Sequence, residues 1–444
     1  MIIKRSLFII VIWCIICTGY VFAAGYEGPG LGARGIGMGG AFIGLADEWT
    51  AVYWNPAGLA QLEGAGFGLD VSRLYISGQD GDGVPNHKLI FTQDGIISEL
   101  NEDKGDIFYR PFAGTQPLSN EPEAFSNVTK VVSNVWLPAI GGYKHIGDYC
   151  IGYGLYAPAG YKTTWADTED SVSAEYDIEM GIKVGNISIA NWLTHDMALG
   201  IGINVINGEI KKHARKDVPN MYTFTLDTKC SGDAIEWVIG MMFDISRAIQ
   251  IGMVYRSGAE VKLTGETRVS YPVPTGTITP PLEVKHEKSE FTTKYSHPVT
   301  WGIGIALNAA ENLIITSDWT KTCWSSMKKD IRFDNPGNML KNTYRELGWT
   351  DEVRFRVGME YKHSPVWTFR CGMLTDPSPV PDKAINLTNI IDVTRTFYTI
   401  GVGYNKHNWH IDVMYLHGNN DRIIDNIRYT KETDEYRVKV EYIF

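Results

Sequence analysis

Few groupings in this chain are of a kind that does chemistry, and each lacks a partner it would need. Gly35-Ile36-Gly37-Met38-Gly39-Gly40 satisfies the dinucleotide pattern G-x-G-x-x-G. That pattern works only where a strand feeds a helix whose first N–H groups face a pyrophosphate, and no strand precedes it here. Gln79-Asp80-Gly81-Asp82-Gly83 opens like a calcium loop but lacks the later oxygen ligands, so it reads as a solvated turn. His407 and His410 lie three apart across an expected turn with no further ligand, and no metal is expected there. Of the six cysteines, Cys150, Cys230, Cys323 and Cys371 lie beyond residue 24. They have neither zinc spacing nor the density of a disulfide framework, and whether any of them pair is left open. No G-x-x-x-x-G-K-[ST], G-x-S-x-G or H-E-x-x-H occurs, so neither a cofactor nor an enzyme is expected.

What remains is a set of arginines, Arg256, Arg354, Arg356 and Arg370, whose forked guanidinium groups suit carboxylates. Each alternates with apolar neighbours, as in Phe355-Arg356-Val357 or Phe369-Arg370-Cys371, and that alternation describes the elements that must carry them. The chain ends Tyr436-Arg437-Val438-Lys439-Val440-Glu441-Tyr442-Ile443-Phe444. Side chains at i and i+2 share one face of a strand, so one face here suits lipid and the other water. The same alternation runs through Leu199-Ile201-Ile203-Val205, Trp237-Ile239-Met241-Phe243, Trp301-Ile303-Ile305-Leu307 and similar stretches. Weaker segments near 131–146, 174–192 and 311–330 bring the total to about 14 strands, each near or above the roughly 9–11 residues that cross a bilayer at a tilt.

Short links near Gly147, Leu193, Ser246, Ala310, Ser364 and Lys406 alternate with long polar ones near 77–130, 161–174, 213–232, 270–287, 330–351, 376–395 and 418–434. Short inner turns and long outer loops are the habit of outer-membrane barrels. Residues 1–24, with Lys4 and Arg5 before an apolar run and Val21-Phe22-Ala23-Ala24 after it, read as a secretory signal peptide. A soluble secreted sandwich would share the alternation, but not the loop asymmetry or the terminal Phe444. The formal net charge of −10 argues against nucleic acid as a partner. The reading is therefore all-β: a transmembrane antiparallel barrel over 66–444, in the Gram-negative outer membrane, with membrane lipid and lipopolysaccharide around it. Its lumen is too wide for its own side chains to fill, and the glycine-rich segment 25–65 is placed to fold back as a plug, glycine allowing close backbone packing.

Within that segment, Asn55-Pro56-Ala57-Gly58 follows Gly37-Met38-Gly39-Gly40-Ala41-Phe42. Locally this reads as a helix start, with Asn as the cap and Pro tolerated next. Together with Tyr255-Arg256-Ser257, Asp318-Trp319-Thr320, Trp324-Ser325-Ser326, Trp367-Thr368-Phe369-Arg370-Cys371-Gly372 and Asp376-Pro377-Ser378-Pro379, it resembles the FadL/TodX family of long-chain fatty acid transporters. The resemblance implies a 14-stranded barrel closed by an N-terminal hatch that carries Asn55, Pro56, Ala57 and Gly58. It further implies passive, hatch-gated uptake of hydrophobic cargo, either long-chain fatty acids or aromatic and aliphatic hydrocarbons. Most of the four arginines are expected to pair with lumenal Asp or Glu such as Glu360, and Arg256 and Arg370, in family-like segments, are the candidates for a carboxylate head group. The long first loop, 77–130, departs from the family and leaves a docking or structural role as the alternative. A water-filled porin is disfavoured by the plug segment.

Overall fold

The computed structural model describes residues 28–80, 88–92, 95–99, 130–169, 172–218, 222–273, 283–382, 392–424 and 427–444. Eighteen hydrogen-bonded segments form one sheet, and four strands are each interrupted once, which leaves fourteen strands in the ring. They are β1 (Ala65–Asp80), β2 (Lys130–Ile146), β3 (Tyr149–Glu169), β4 (Val172–Trp192), β5 (Met197–Val218) and β6 (Tyr222–Asp244). The interrupted strands follow: β7 (Ile249–Arg256, Ala259–Val273), β8 (Glu283–His297, Thr300–Ala310), β9 (Leu313–Thr322, Lys328–Phe333) and β10 (Thr343–Glu346, Glu352–Lys362). Then come β11 (Trp367–Asp376), β12 (Arg395–Lys406), β13 (Trp409–Ile424) and β14 (Ile427–Ile443). Every neighbouring pair is antiparallel, and β14 pairs with β1 from Gly66↔Ile443 to Asp80↔Tyr429, closing the ring. Closure matters because an unpaired backbone group in hydrocarbon costs several kcal/mol. A small hairpin, Lys88–Thr92 with Gly95–Glu99, lies outside this sheet.

The alternation sorts side chains across the wall. On β14, Tyr436 and Val438 are exposed while Arg437, Lys439 and Glu441 are buried inside; on β6, Ile235, Trp237, Ile239 and Met241 face out while Glu236, Val238 and Met242 face in. Aromatics bracket the outward apolar band. Trp367 pairs with Tyr404 (5.0 Å) and Trp409 with Tyr442 (4.8 Å) beside short turns, and Tyr255 with Trp301 (4.5 Å) and Tyr415 with Tyr436 (4.9 Å) farther along. The Phe444 N–H donates to Ala65 O at 2.8 Å, so the last residue helps close the wall.

The short turns fall where the sequence places them, at 147–148, 193–196, 245–248, 311–312, 363–366 and 407–408. The long outer links do not all form loops. Strands β3 to β6 are 21 to 23 residues long, and they continue through most of the stretches 161–174 and 213–232, as β13 and β14 do through 418–434, up to Ile424 and again from Ile427. In the extensions of β4 to β6 the pattern inverts: Ile178, Met180, Ala214, Phe224 and Leu226 are buried on the inner face, while Glu175, Asp177, Thr223 and Asp227 take the outer parity, so the alternation no longer marks a lipid-facing stripe although the backbone ladder goes on.

Residues 28–64 run through the interior, with helix α1 (Ala33–Gly37), helix α2 (Ala51–Trp54) and a 3-10 turn, Pro56–Gln61. Met38, Phe42, Trp49, Trp54 and Leu59 are buried there. The dinucleotide-like glycines belong to α1 and the turn after it, with no strand ahead of them among the described residues. The fit depends on wall positions that carry no side chain. Gly200, Gly240, Gly252, Gly304, Gly358 and Gly372 lie on β5, β6, β7, β8, β10 and β11 and face the segment's backbone. A Cβ at Gly358 would stand 2.2 Å from Met38 O, and one at Gly252 would stand 2.0 Å from Ile43 O, distances no packing permits. At these positions the wall is thinned to backbone.

Gly358→Leu should leave the barrel able to assemble, because its outer face is unchanged, while forcing Met38 off the wall. Planar-bilayer recordings should then show ion conductance above wild type; a closure equal to wild type would contradict this seating.

Candidate functional site

Asn55 is fully buried and uses its whole side chain. Its Oδ1 accepts the Ala57 N–H (3.1 Å), capping the 3-10 turn with Pro56 in first place, and its Nδ2 donates to Ile43 O and to Met241 O, both at 3.0 Å. The expected helix start is thus present as a 3-10 turn. Met241 O belongs to β6, so one side chain ties two parts of the segment to the wall. A buried amide without these partners would be costly. Gly58 packs on Ala46, where a Cβ would stand 2.2 Å from Ala46 O.

Across the lumen the ties are ionic. Arg34 on α1 contacts Asp47 at 2.6 Å and Glu360 of β10 at 2.8 Å. Arg370 of β11 donates to that same Glu360 (2.6 Å) and to Asp412 of β13 (2.7 Å). Lys439 of β14 continues the chain to Asp412 and Glu441, each at 3.1 Å, and to Glu48 of the segment. Nearby, Asp70 of β1 accepts the Ala33 N–H (3.0 Å) and Arg437 (2.8 Å), and Asp318 of β9 accepts the Phe42 and Ile43 N–H groups (2.7 and 2.8 Å). Buried charges need such pairing, since removing one partner strands the other in a low-dielectric interior. The structure therefore places Arg370, a candidate head-group ligand, inside a network whose carboxylates occupy it.

Arg256 is placed elsewhere. Its guanidinium lies over the Tyr53 ring at 4.7 Å and donates to Tyr53 O. It lines a cavity of ≈ 50 Å³ together with Arg354, Arg356, His297 and Glu236, with Tyr53 and Trp54 as the floor. Glu236 is held by His297 (3.0 Å) and by Asn204 (2.6 Å). Arg356 donates to Thr320 (2.8 Å), and its Nε, although buried, has no partner among the described residues. Of the three guanidinium groups in the lining, Arg354 is paired with the buried Asp376 at 2.6 Å, which leaves Arg256 and Arg356 beside Glu236. Strand parity places Arg354 and Arg356 inside the barrel; nothing in the sequence groups them with Arg256, because β7 and β10 are brought together only by the curvature of the ring. Glu236 and His297 likewise carry no local signal.

The wall itself has a seam. Among the described residues, β2 and β3 pair only from Ile140↔Leu155 to Ile146↔Tyr149, although both strands run farther. Above that point β3 bulges between Tyr156 and Ala159, and Leu137, Pro138, Ala139, Ala157 and Pro158 line a small gap with Gly30 and Leu31 of the segment. The Gly28 N–H bridges it to Pro158 O at 3.0 Å. The four cysteines Cys150, Cys230, Cys323 and Cys371 are all free. Most of 77–130 and all of 1–24, where a docking loop and a leader are expected, lie outside the described residues.

Glu360→Ala would leave both Arg34 and Arg370 short of a partner, a change costing about 3–5 kcal/mol for a buried pair. Hydrogen exchange of residues 33–48 should accelerate while that of β5 and β6 stays slow; unchanged protection would show that the network does not hold the segment.

Residues 14–442 match the family described as "Outer membrane protein transport protein (OMPP1/FadL/TodX)". A long-chain fatty acid transport protein of Escherichia coli O6:H1 (strain CFT073) is 22% identical over 345 residues, covering 71% of this chain and 76% of that one. In structure, a Pseudomonas aeruginosa FadL homologue superposes with a TM-score of 0.72 at 17% identity, covering 95% of this chain and all of the other. The Pseudomonas putida toluene transporter TodX superposes with a TM-score of 0.70 at 13% identity, covering 94% and 99%. At these identities the two structures speak for the fold alone.

Proposed function

The chain belongs to the OMPP1/FadL/TodX family of outer membrane transport proteins, and we propose that its cargo is a long-chain carboxylate of the fatty acid class rather than a neutral hydrocarbon. It is a barrel of the Gram-negative outer membrane that takes up hydrophobic compounds, and its fold and family leave the docking role with no observation in its favour. The choice of cargo rests on the cavity lining. Arg256 and Arg356 converge beside Glu236, Arg354 being already paired with Asp376, and the buried Arg356 Nε is a donor awaiting an acceptor. Burying that much cationic surface has no use for toluene, whereas a carboxylate fits it with charge-assisted bonds. Tyr53 and Trp54, at the foot of the cavity, offer apolar contact to the first methylenes.

Residues 28–64 act as the hatch. A cavity of ≈ 50 Å³ admits a carboxylate or a few waters but no acyl tail, so loading requires the hatch to shift. Each buried methylene contributes about 0.8 kcal/mol, which gives a long tail strong binding and also a release problem. Release follows if the tail passes sideways into lipid. The β2–β3 seam is the route that supports this, because there the wall lacks its ladder and the hatch residues Gly28, Gly30 and Leu31 stand at the gap. Asn55 and the Arg34–Glu360 network set how far the hatch moves. Neither a cofactor nor a catalytic step has a place in this route.

In transporter-deficient cells, Arg256→Gln with Arg356→Gln should lower the apparent affinity for labelled oleate by about 10- to 100-fold, the scale of lost charged hydrogen bonds at about 1.5–3 kcal/mol. Toluene uptake should be unaffected at equal surface level; equal loss of both, or loss of toluene alone, would remove the carboxylate reading. Tying Ala139→Cys to Ala157→Cys with a short bifunctional maleimide, in a background with Cys323 and Cys371 replaced by Ser, should stop oleate uptake. Full uptake through a cross-linked seam would place the exit elsewhere.

A further inference from the structure

On the outer face of the wall, well away from the lumen, three side chains with metal-ligand chemistry meet across two strands. His417 of β13 stands opposite Asp434 of β14, and Glu432 lies two residues from Asp434 on the same face. Their ligand atoms all lie within 4.8 Å of one another. His417 Nδ1 is 2.8 Å from an Asp434 carboxylate oxygen, and the Tyr415 hydroxyl donates to that oxygen at 2.6 Å.

The depth of the cluster is set by its neighbours. Val413 and Val438 pair below it, then Tyr415 and Tyr436 pair at the aromatic level, and the His417–Asp434 pair is the next outward rung. His417 lies nine residue steps along the strand from the turn residue Asn408. At about 2.5 Å of depth per tilted residue this is roughly 23 Å, close to the top of an apolar band of about 25 Å. The cluster is therefore the first polar rung at the outer boundary of the membrane. Among the described residues no lysine or arginine forms an ion pair with Glu432 or Asp434, so the two carboxylates, on successive same-face rungs, have only His417 beside them as a basic side chain.

We propose that His417, Glu432 and Asp434 form a binding site for a divalent first-row cation of the Zn²⁺ or Mn²⁺ class. One imidazole nitrogen and two carboxylates are a donor set such ions accept. Ca²⁺ is disfavoured, because it takes six to eight oxygen ligands. The strands hold the three residues in register, so the ion needs only side-chain adjustment, and water fills the positions left open: one on a tetrahedral Zn²⁺, more on an octahedral Mn²⁺. A bound ion turns the repulsion between Glu432 and Asp434 into a shared attraction and ties β13 to β14 beyond the lipid band.

The test uses the full-length protein in detergent micelles after chelation, titrated with Zn²⁺ by calorimetry and with Mn²⁺ by electron paramagnetic resonance. One saturable equivalent is expected, weakened at least tenfold by His417→Ala and also by Glu432→Gln, with the heat-modifiable mobility of the folded barrel retained. His195→Ala, which alters an exposed turn histidine, should bind as wild type. Absence of a saturable equivalent, undiminished affinity in a folded Glu432→Gln variant, or loss that follows His195 instead would overturn the assignment.

Discussion

Everything inside this barrel depends on close backbone approach between the wall and the segment it encloses. A fourteen-stranded ring has a lumen that side chains alone would fill poorly, and here the filling is a second piece of chain laid against strand backbone. Gly240 meets Asn55, Gly252 meets Ile43, Gly358 meets Met38 and Gly372 meets Gly39, each at a distance that excludes even a methyl group. Glycine weakens a strand interior on entropic grounds, and the ladder tolerates that because the strands carrying these glycines, β5 to β8, β10 and β11, are bonded along both edges there.

The hatch is held differently on its two sides. Toward β6 it relies on Asn55 and neutral amide bonds; toward β10, β11, β13 and β14 it relies on the linked ion pairs of Arg34, Glu360, Arg370, Asp412 and Lys439. Linked pairs in a low-dielectric interior reinforce one another and fail together, so this side is suited to two discrete states rather than gradual loosening. The cationic cavity with Arg256 and Arg356 lies above the hatch, and the weakly paired β2–β3 seam lies beside its N-terminal end. An anionic head group arriving at the first and a tail leaving by the second are coupled through one short stretch of chain.

The wall was legible in the sequence because lipid and water impose period two on every crossing strand: Tyr436-Arg437-Val438-Lys439 already states which side is which. Turn positions were legible for the same reason, as places where the pattern stops. The strand extensions past 161 and 213 were not, since the apolar parity there switches to the inner face, as at Phe224 and Leu226, and no longer reads as a lipid-facing strand. Asn55-Pro56-Ala57-Gly58 stood out as a motif, yet its partners Ile43 O and Met241 O are backbone atoms with no sequence signature. Arg370 was readable as lumenal, but its ion-pair partners include Asp412, forty-two residues away. The histidines singled out by spacing, His407 and His410, are sequence neighbours, whereas the residues that meet as possible ligands, His417 and Asp434, are joined only by strand register.

The central claim is that cargo passes only when the hatch leaves its glycine-lined seat. Gly37 and Gly401 offer the most direct measurement, because a Cβ built on either lies 3.4–3.6 Å from the other's Cα, close enough for a disulfide. Oleate uptake by the Gly37→Cys, Gly401→Cys variant, measured oxidised and then reduced, should be abolished by oxidation and restored by reduction at unchanged surface level. Full uptake with the disulfide intact would contradict hatch gating, because cargo would then cross the barrel while residues 28–64 stay in their seat.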